Sequence, residues 1–397
     1  CEALVKDNVA FSKFDNKKLK SVIEKYTGLK IASRRTYSRT YLPFLYEQKM
    51  KKLRESVGDN KIWISIDETT DLTGRSIANV IIGILDFESK MFLLNTQELE
   101  KVNHNTIAML FNDSMSILYP NGIKYENVLL FITDAASYMI KAAEGIKITF
   151  GKITHLTCMN HALNRLSEKI RSLNPKSNKL ISNVKKVFIK SPLRIAKFKE
   201  VAPDLKLPPE PIITRWATWL KAANYYAINF DVIKEIVCSF DKEEALSIDL
   251  SQKCLNDERV RSELIFIHAN YGFLIELIKK LETRNLILND SIKLVNEAVE
   301  KVTQVPSQKG EAIKEKLNYI LNKNKGFEKL VKINQILNGE SQINLKYSIE
   351  EISAFKYAPI TSCEAERSFS VFKSILSEKR TSFNFENLKM YLFVNSN

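Results

Sequence analysis

The sequence predicts a mixed α/β domain that is interrupted by a large all-helical insertion and preceded by a short helical segment. Three observations favour this organisation. Strand-like and helix-like patterns alternate between residues 61 and 157, the strand pattern is absent from residue 212 to about residue 344, and short helical patterns fill residues 1–57. A chain of 397 residues is long enough for two or three domains of ordinary size.

The N-terminal segment is expected to end in a helix from about residue 44 to residue 57, which residues 58–60 (Gly-Asp-Asn) terminate. Cations alternate with aromatic rings directly before that helix, at Arg34, Arg35, Tyr37, Arg39 and Tyr41. Interleaving of this kind is typical of surfaces that bind nucleic acids.

The predicted sheet lies within residues 61–157. Apolar strands are expected at residues 61–66, 77–85 and 90–98, with polar turns between them. A helix over residues 105–118, an apolar strand over 127–133, a helix from about Ala136, a fifth strand over 153–157 and a helix from His161 follow. This order, β-β-β-α-β-α-β, is the order of ribonuclease-H-like folds.

A boundary is expected at residues 203–211, which hold 4 of the 10 prolines. Helical patterns continue beyond it, and a further helix is expected from about Ser362. The predicted domains are therefore an N-terminal helical segment (1–58), the first part of the α/β core (59–200), the helical insertion (201–350) and the C-terminal part of the core (351–397).

Composition excludes several classes of protein. Hydrophobic residues make up 45% of the chain, with only 11 Gly and 10 Pro, so it is neither disordered nor collagen-like. No run of about 18 uncharged apolar residues is present, which argues against a membrane span. The 5 Cys are scattered without a closely spaced pair, so we expect a reducing compartment and no disulfide framework.

The chain starts at Cys1 rather than Met, and no charged and then apolar leader follows. We therefore expect it to be a piece of a longer protein. A complete zinc finger cannot be formed from 4 His and unpaired Cys, so a structural zinc module would lie upstream of Cys1.

The positive charge is concentrated in two segments. Residues 1–60 carry a net charge of +7 and residues 161–200 carry +9, whereas the whole chain carries +14. Two basic segments on a nearly neutral body indicate binding to a polyanion such as nucleic acid. The alternative for either segment is a solvated, lysine-rich helical face.

Two aspartates directly follow apolar strands, Asp67 after the first and Asp134 after the fourth. Because function in open α/β sheets collects at the carboxyl ends of strands, these two side chains are candidate ligands of a two-metal site for phosphoryl transfer. Carboxylates suit Mg²⁺. A third acid would come from the C-terminal helix, as Glu364 or Glu366. The alternatives are a turn or helix cap for Asp134 and a surface ion pair with Arg367 for Glu366.

Five motifs, in order along most of the chain, resemble the hAT (hobo, Activator, Tam3) superfamily of DNA transposases. They are Asp67, residues 133–139 (TDAASYM), residues 158–164 (CMNHALN), residues 214–216 (TRW) and residues 362–370 (SCEAERSFS). The segment 1–57 is similar to the C-terminal part of the CGG-repeat-binding proteins.

The resemblance implies a DDE transposase that cuts and joins DNA on a ribonuclease-H-like core interrupted by the helical insertion. It implies a catalytic and metal-binding triad of Asp67, Asp134 and Glu366 with two Mg²⁺ or Mn²⁺ ions. Expected partners are double-stranded DNA, as transposon ends and target, and further copies of the chain in a homodimer or higher oligomer. Dimerisation is expected of residues 1–58 and 351–397. The expected location is the nucleus, without membrane association.

Charge and resemblance together predict a set of DNA contacts. Trp216 is expected to stack on a flipped base, the alternative being a core Trp with Trp219 one turn on. Cys158 and His161 are spaced like half a zinc site without a second pair, and we interpret them as packing and positioning residues beside the fifth strand that also touch DNA. The predicted DNA-binding residues are Arg34, Arg35, Arg39, Cys158, His161, Lys185, Lys186, Arg215 and Trp216.

One departure from the family pattern leaves other functions open. Family members often carry Trp-Thr soon after the first Asp, whereas Asp67 is followed by residues 68–71 (Glu-Thr-Thr-Asp). Asp71 is therefore a second, less favoured candidate for the first catalytic aspartate. A domesticated DNA-binding or regulatory protein without catalysis is the alternative function. A ribonuclease or exonuclease on the same fold is a third, which the large helical insertion disfavours.

Overall fold

The computed structural model describes residues 1–212, 216–340, 346–376 and 383–397. One sheet contains five strands, which are β1 (Ile62–Thr70), β2 (Ser76–Ile84), β3 (Met91–Leu99), β4 (Val128–Thr133) and β5 (Thr154–Thr157). None of the helices in these ranges combines the length and the apolar character that crossing a bilayer requires.

The described ranges contain twenty α-helices. In chain order they are α1 (Glu2–Lys6), α2 (Lys17–Thr27), α3 (Arg34–Thr36), α4 (Leu42–Val57), α5 (His104–Leu118), α6 (Ser137–Thr149), α7 (Met159–Leu173), α8 (Pro175–Phe188), α9 (Pro192–Val201), α10 (Thr218–Ile228), α11 (Phe230–Cys238), α12 (Leu246–Leu255), α13 (Glu258–Tyr271), α14 (Phe273–Leu281), α15 (Leu288–Thr303), α16 (Gln308–Lys323), α17 (Lys325–Leu337), α18 (Ile349–Ala354), α19 (Cys363–Ile375) and α20 (Phe385–Ser396). Short 3₁₀ turns lie at Phe11–Asp15, Tyr125–Asn127 and Phe355–Tyr357, and a π turn lies at Tyr37–Tyr41.

The chain forms two compact units. The sheet unit contains Cys1–Cys158, Asn285–Asn289 and Lys325–Asn397, and the helical unit contains Met159–Arg284 and Asp290–Asn324. The predicted combination of an α/β part and a helical part is confirmed. The units begin and end at other positions than the predicted domains, whose boundaries stay predictions.

The order of strands in the sheet is β3-β2-β1-β4-β5. β1, β2 and β3 pair antiparallel, whereas β4 pairs parallel with β1 and β5 parallel with β4. Every residue of β4 is buried, because helices cover both faces of the sheet at its centre. The predicted sequence of strands and helices from residue 61 to residue 173 is therefore present in the structure.

β1 is longer than predicted, since it runs to Thr70 instead of ending before Asp67. Its pairing with β2 continues as far as Thr70 and Ser76. A tight turn closes this hairpin, in which Asp71 Oδ1 accepts hydrogen bonds from the backbone N–H of Thr73 at 2.8 Å and of Arg75 at 2.9 Å. The turn residues therefore extend the strand, and the apolar run alone underestimated it.

The helix predicted from residue 44 begins earlier, because α3, the π turn and α4 follow one another without a break. Pro43 cannot donate a hydrogen bond to the Arg39 carbonyl, and its ring would crowd that carbonyl in a regular helix. The wider π turn, which contains Arg39 and ends two residues before Pro43, accommodates the ring. Tyr37, inside this turn, packs against Phe11 and Phe14 at ring-centroid distances of 5.3 and 5.4 Å.

The C-terminal residues complete the sheet unit. α17 packs on β5, α19 on β1 and β2, and α20 on β3 and α4. The Asn397 side chain accepts a hydrogen bond from Leu93 N–H at 3.0 Å and donates one to Leu93 O at 2.9 Å. It thereby pairs with the edge strand β3, whose backbone groups would otherwise be a site for pairing with another chain.

Gly326 gives the sharpest test of this packing. A Cβ atom at this position would overlap the His155 carbonyl oxygen and lie 2.7 Å from Leu156 Cα in β5. We predict that Gly326→Ala lowers the free energy of unfolding by about 1–3 kcal/mol, because α17 must move away from the sheet. Urea unfolding measures this change.

Gly151→Ala is the matched control, because a Cβ there meets nothing within 4 Å and the residue is exposed. It should change the free energy of unfolding by less than about 0.5 kcal/mol. Equal effects of the two substitutions would contradict the close contact between α17 and β5.

Candidate active site

Asp67 and Asp134 lie next to each other at one edge of the sheet. β1 and β4 run parallel, and their last register pair is Ser65 with Ile132. Because both strands run in the same direction, two further residues bring Asp67 level with Asp134, which directly follows β4. The two half-buried aspartates therefore stand where the parallel pairing ends, although β1 itself continues into its hairpin.

The side chain of Asp67 is on the same face of the sheet as α19. Asp67 is directly opposite Asn79 on β2, and opposite residues of an antiparallel pair point to one face. Asn79 Nδ2 donates a hydrogen bond to Ser368 Oγ of α19 at 2.8 Å, and Thr96 Oγ1 donates to Asn79 Oδ1 at 2.8 Å. These contacts are buried, so they fix α19 against the strand beside Asp67.

The start of α19 is held at the other side of the site. Ser362 N–H donates to Cys158 Sγ at 3.2 Å, and Cys158 N–H donates to Thr133 O at 2.8 Å. Residues 362–368 therefore extend from the end of β5 to β2, across the two strands that carry the aspartates. Cys158 is fully buried. Cys158 thus positions the helix that carries Glu366, and its contact with DNA stays a prediction.

Glu366 and Glu364 both lie in the first turn of α19. Glu364 forms an ion pair with Arg367. Glu366 is half-buried. It lies within residues 362–368, on the helix that covers Asp67. Within the described ranges, however, no group of three or more His, Cys, Asp or Glu side chains is arranged to hold a metal ion.

A contact that the sequence did not suggest joins Glu68 to Tyr138. The Tyr138 hydroxyl donates a hydrogen bond to Glu68 Oε1. Burial, this bond and the charges of Glu68, Asp134 and Asp67 together raise the pKa of Tyr138, so its proton stays on the phenol. Because successive residues of a strand face opposite sides, Glu68 points to the α6 side of the sheet while Asp67 points to the α19 side.

The loop after β4 is shaped by Asp134 itself. Asp134 Oδ1 accepts a hydrogen bond from Ala136 N–H at 3.0 Å, just before α6. The alternative of a structural turn residue is therefore present in the structure. This hydrogen bond occupies one carboxylate oxygen of Asp134 and orients its side chain.

Asp71 has a structural role. Besides the two backbone contacts of the hairpin turn, its Oδ2 accepts a hydrogen bond from Arg75 Nε at 2.8 Å. Hydrogen bonds from Arg75 and Thr73 outweigh burial and lower the pKa of Asp71. The carboxylate of this acid, four residues after Asp67, is thus engaged in the hairpin turn.

The basic segment 161–200 is partly neutralised inside the helical unit. Its cations pair with acids from later helices and loops, including Lys176 with Asp257 at 2.8 Å and Arg194 with Glu244 at 3.2 Å. Lys185, a predicted DNA contact, pairs with Glu210. The neighbouring Lys186 is exposed. The net charge of the segment therefore overstates the positive surface that it offers.

The structure brings two other predicted DNA-binding residues together. The rings of His161 and Trp216 meet edge to face, with centroids 5.1 Å apart. Trp216 is half-exposed, whereas Trp219 is buried and donates a hydrogen bond from Nε1 to Asn178 Oδ1 at 3.0 Å. Trp219 is thus the core tryptophan of the pair. Arg215 lies outside the described residues, and Arg34, Arg35 and Arg39 are all exposed.

Comparison with known proteins gives one family match. Residues 46–187 match the model described as a domain of unknown function, DUF659. This domain occurs in transposase-like proteins of the hAT family. The match covers about a third of the chain and includes β1, β4 and both aspartates. No curated protein was found to match the chain.

His155 provides a pH test of the strand that ends at Asp134. Thr133 Oγ1 donates to the Asp134 carbonyl at 2.7 Å, so it accepts the 2.9 Å hydrogen bond from His155 Nε2. Burial lowers the pKa of His155 from 6.5 to about 4. The unfolded chain therefore binds a proton below pH 6.5 that the folded protein excludes until about pH 4, and stability falls as the pH falls through this window.

We predict that His155→Gln removes this part of the pH dependence. Between pH 6.5 and pH 4 the parent protein should lose about 3 kcal/mol more unfolding free energy than the variant. Urea unfolding at a series of pH values measures the difference. Parallel curves for the two proteins would show that His155 is not buried in its neutral form.

Proposed function

We propose that this protein is an hAT-like DDE transposase that cleaves DNA and transfers the cut strand in a reaction that depends on Mg²⁺ or Mn²⁺. The observation that carries the proposal is the level placement of Asp67 and Asp134 on parallel strands, under a helix that carries Glu366. The strand order β3-β2-β1-β4-β5 supports a ribonuclease-H-like core. The DUF659 match supports a transposase-like family.

The donor set suits the expected metal. Carboxylate oxygens are the ligands that Mg²⁺ prefers, and Asp67 and Asp134 are held by the sheet. Bound ions would supply activation of the attacking water or hydroxyl and stabilisation of the leaving oxygen. Glu366, in the first turn of α19, is our proposed third ligand.

Buried contacts of the sheet unit hold the helix that carries Glu366. The bonds from Asn79 to Ser368 and from Ser362 to Cys158 fix both ends of the segment that carries Glu366. Tyr138 holds the carboxylate of Glu68 on the opposite, α6 side of the sheet. We further propose that the substrate is double-stranded DNA and that the protein acts in the nucleus as a homodimer or higher oligomer.

Asp134→Asn tests the catalytic assignment. We predict that the variant nicks DNA carrying candidate element ends at least about 100-fold more slowly than the parent protein, because the amide cannot replace the anionic ligand. Gel assays in Mg²⁺ and in Mn²⁺ measure nicking. Asp113→Asn, at an exposed aspartate of α5, is the matched control and should leave the rate unchanged. A variant at Asp134 that cuts as well as the parent protein would refute this role.

A second function is favoured by one observation. No group of three potential metal ligands stands together in the described part of the chain. A domesticated DNA-binding or regulatory protein that keeps the fold without catalysis would fit this arrangement. DNA binding that persists in EDTA, with no cleavage in any divalent metal, would favour this second function over the first.

The adjacent lysines of α8 test the proposed DNA contact of the helical unit. We predict that Lys186→Ala weakens duplex binding and lowers the slope of log affinity against log salt by about 0.9, as expected for one lost phosphate contact. Lys185→Ala should change both quantities less, because Lys185 already pairs with Glu210. Fluorescence anisotropy across a salt series measures both. A larger effect of Lys185→Ala than of Lys186→Ala would contradict the proposed phosphate contact of Lys186.

A further inference from the structure

Two aromatic rings stand exposed at the start of α4. The side chains of Tyr41 and Phe44 are 42% and 59% exposed, whereas most large apolar side chains of the sheet unit are buried. Residues three apart on a helix are neighbours on its surface, so the two rings form one aromatic patch. Packing of the fold does not account for this exposure.

Cations surround this patch on the same continuous helix. Arg34, Arg35 and Arg39 are exposed on the turns before it, and Lys51 and Lys52 are exposed two turns after it. No ion pair of the three arginines occurs in the described ranges. Glu47 is an exposed acid between the rings and the lysines, so the positive charge is strongest on the arginine side.

The helix presents these side chains rigidly. Tyr37 is buried between Phe11 and Phe14, and Leu42 is buried one residue after Tyr41. Tyr46 packs against Phe393 of α20 with ring centroids 4.7 Å apart. Little conformational entropy is therefore lost when a ligand lies on Tyr41 and Phe44, which makes the exposed rings effective binding groups.

We propose that Tyr41, Phe44 and the arginines before them form a binding surface for single-stranded nucleic acid. Unpaired bases offer their faces to aromatic rings, and the phosphates between them pair with arginine. In a duplex these faces are stacked inside and unavailable. A second copy of this surface is a poor occupant, because like charges would meet. The inference deepens the proposed function and rests on it for the claim that the protein acts on nucleic acid.

Phe44→Ala and Tyr41→Ala test this surface by fluorescence anisotropy in EDTA, with the whole 397-residue chain. The probes are labelled thymidine and uridine oligonucleotides of about 20 nucleotides and a duplex of the same length. Each substitution should weaken binding of the single strands by about 5-fold to 150-fold, the range for loss of one stacked base, and leave duplex binding unchanged. Phe87→Ala, at a ring that is 83% exposed beyond β2, is the matched control and should have no effect.

The outcomes separate this inference from the catalytic proposal. Equal affinity of the parent protein and both ring variants for the single strands, or an equal loss for the duplex, would overturn the single-strand surface. The Asp134→Asn protein should bind the single strands like the parent in EDTA, so a failure of cleavage leaves this result unaffected. Preference for the thymidine or for the uridine probe identifies DNA or RNA as the source of the strand.

Discussion

The parallel pairing of β1 with β4 is the constraint on which the candidate site depends. Its register places Asp67 level with Asp134, although 66 residues of other structure lie between them along the chain. The pairing is buried on both faces, so a shift by one residue would turn every side chain of β1 to the opposite face and disrupt the close packing there. Sheet stability and the position of the acids are thus consequences of the same hydrogen bonds.

The position of α19 on the sheet is the second constraint on the candidate site. The helix is held at its start and near its middle by buried polar contacts, from Ser362 to Cys158 and from Ser368 to Asn79. Buried hydrogen bonds of this kind specify one arrangement, because a displaced helix would leave the same groups without partners. The helix therefore cannot slide along the sheet without cost, and the carboxylates in its first turn are kept on the side of Asp67.

Much of the sheet unit followed from local patterns in the sequence. The apolar run of β4 and the alternation of strands and helices after it are strong signals, and both were located correctly because burial requires them. The length of β1 was not predicted, since it depends on the Asp71 turn. The continuous helix through Pro43 was missed because a π turn leaves no pattern in the sequence.

Side-chain pairing was the least predictable part of the site. The bond from Tyr138 to Glu68 joins two elements 70 residues apart, and the Cys158 contact with Ser362 joins residues 204 apart. Neither follows from a motif spacing, because the partners are chosen by the tertiary fold. The charge of residues 161–200 was counted correctly, yet the acids that neutralise part of it lie outside that segment, as Glu210 does for Lys185.

The contact between Asn79 and Ser368 also determines when the site can form during translation. The two residues are 289 positions apart, and the whole helical unit is made between them. At about 5–20 residues per second a ribosome needs about 15–60 s to add that stretch. From the synthesis of Asp134 until α19 is made, the nascent polypeptide has both aspartates without the covering helix, so the acidic centre is assembled only after the whole helical unit has been translated.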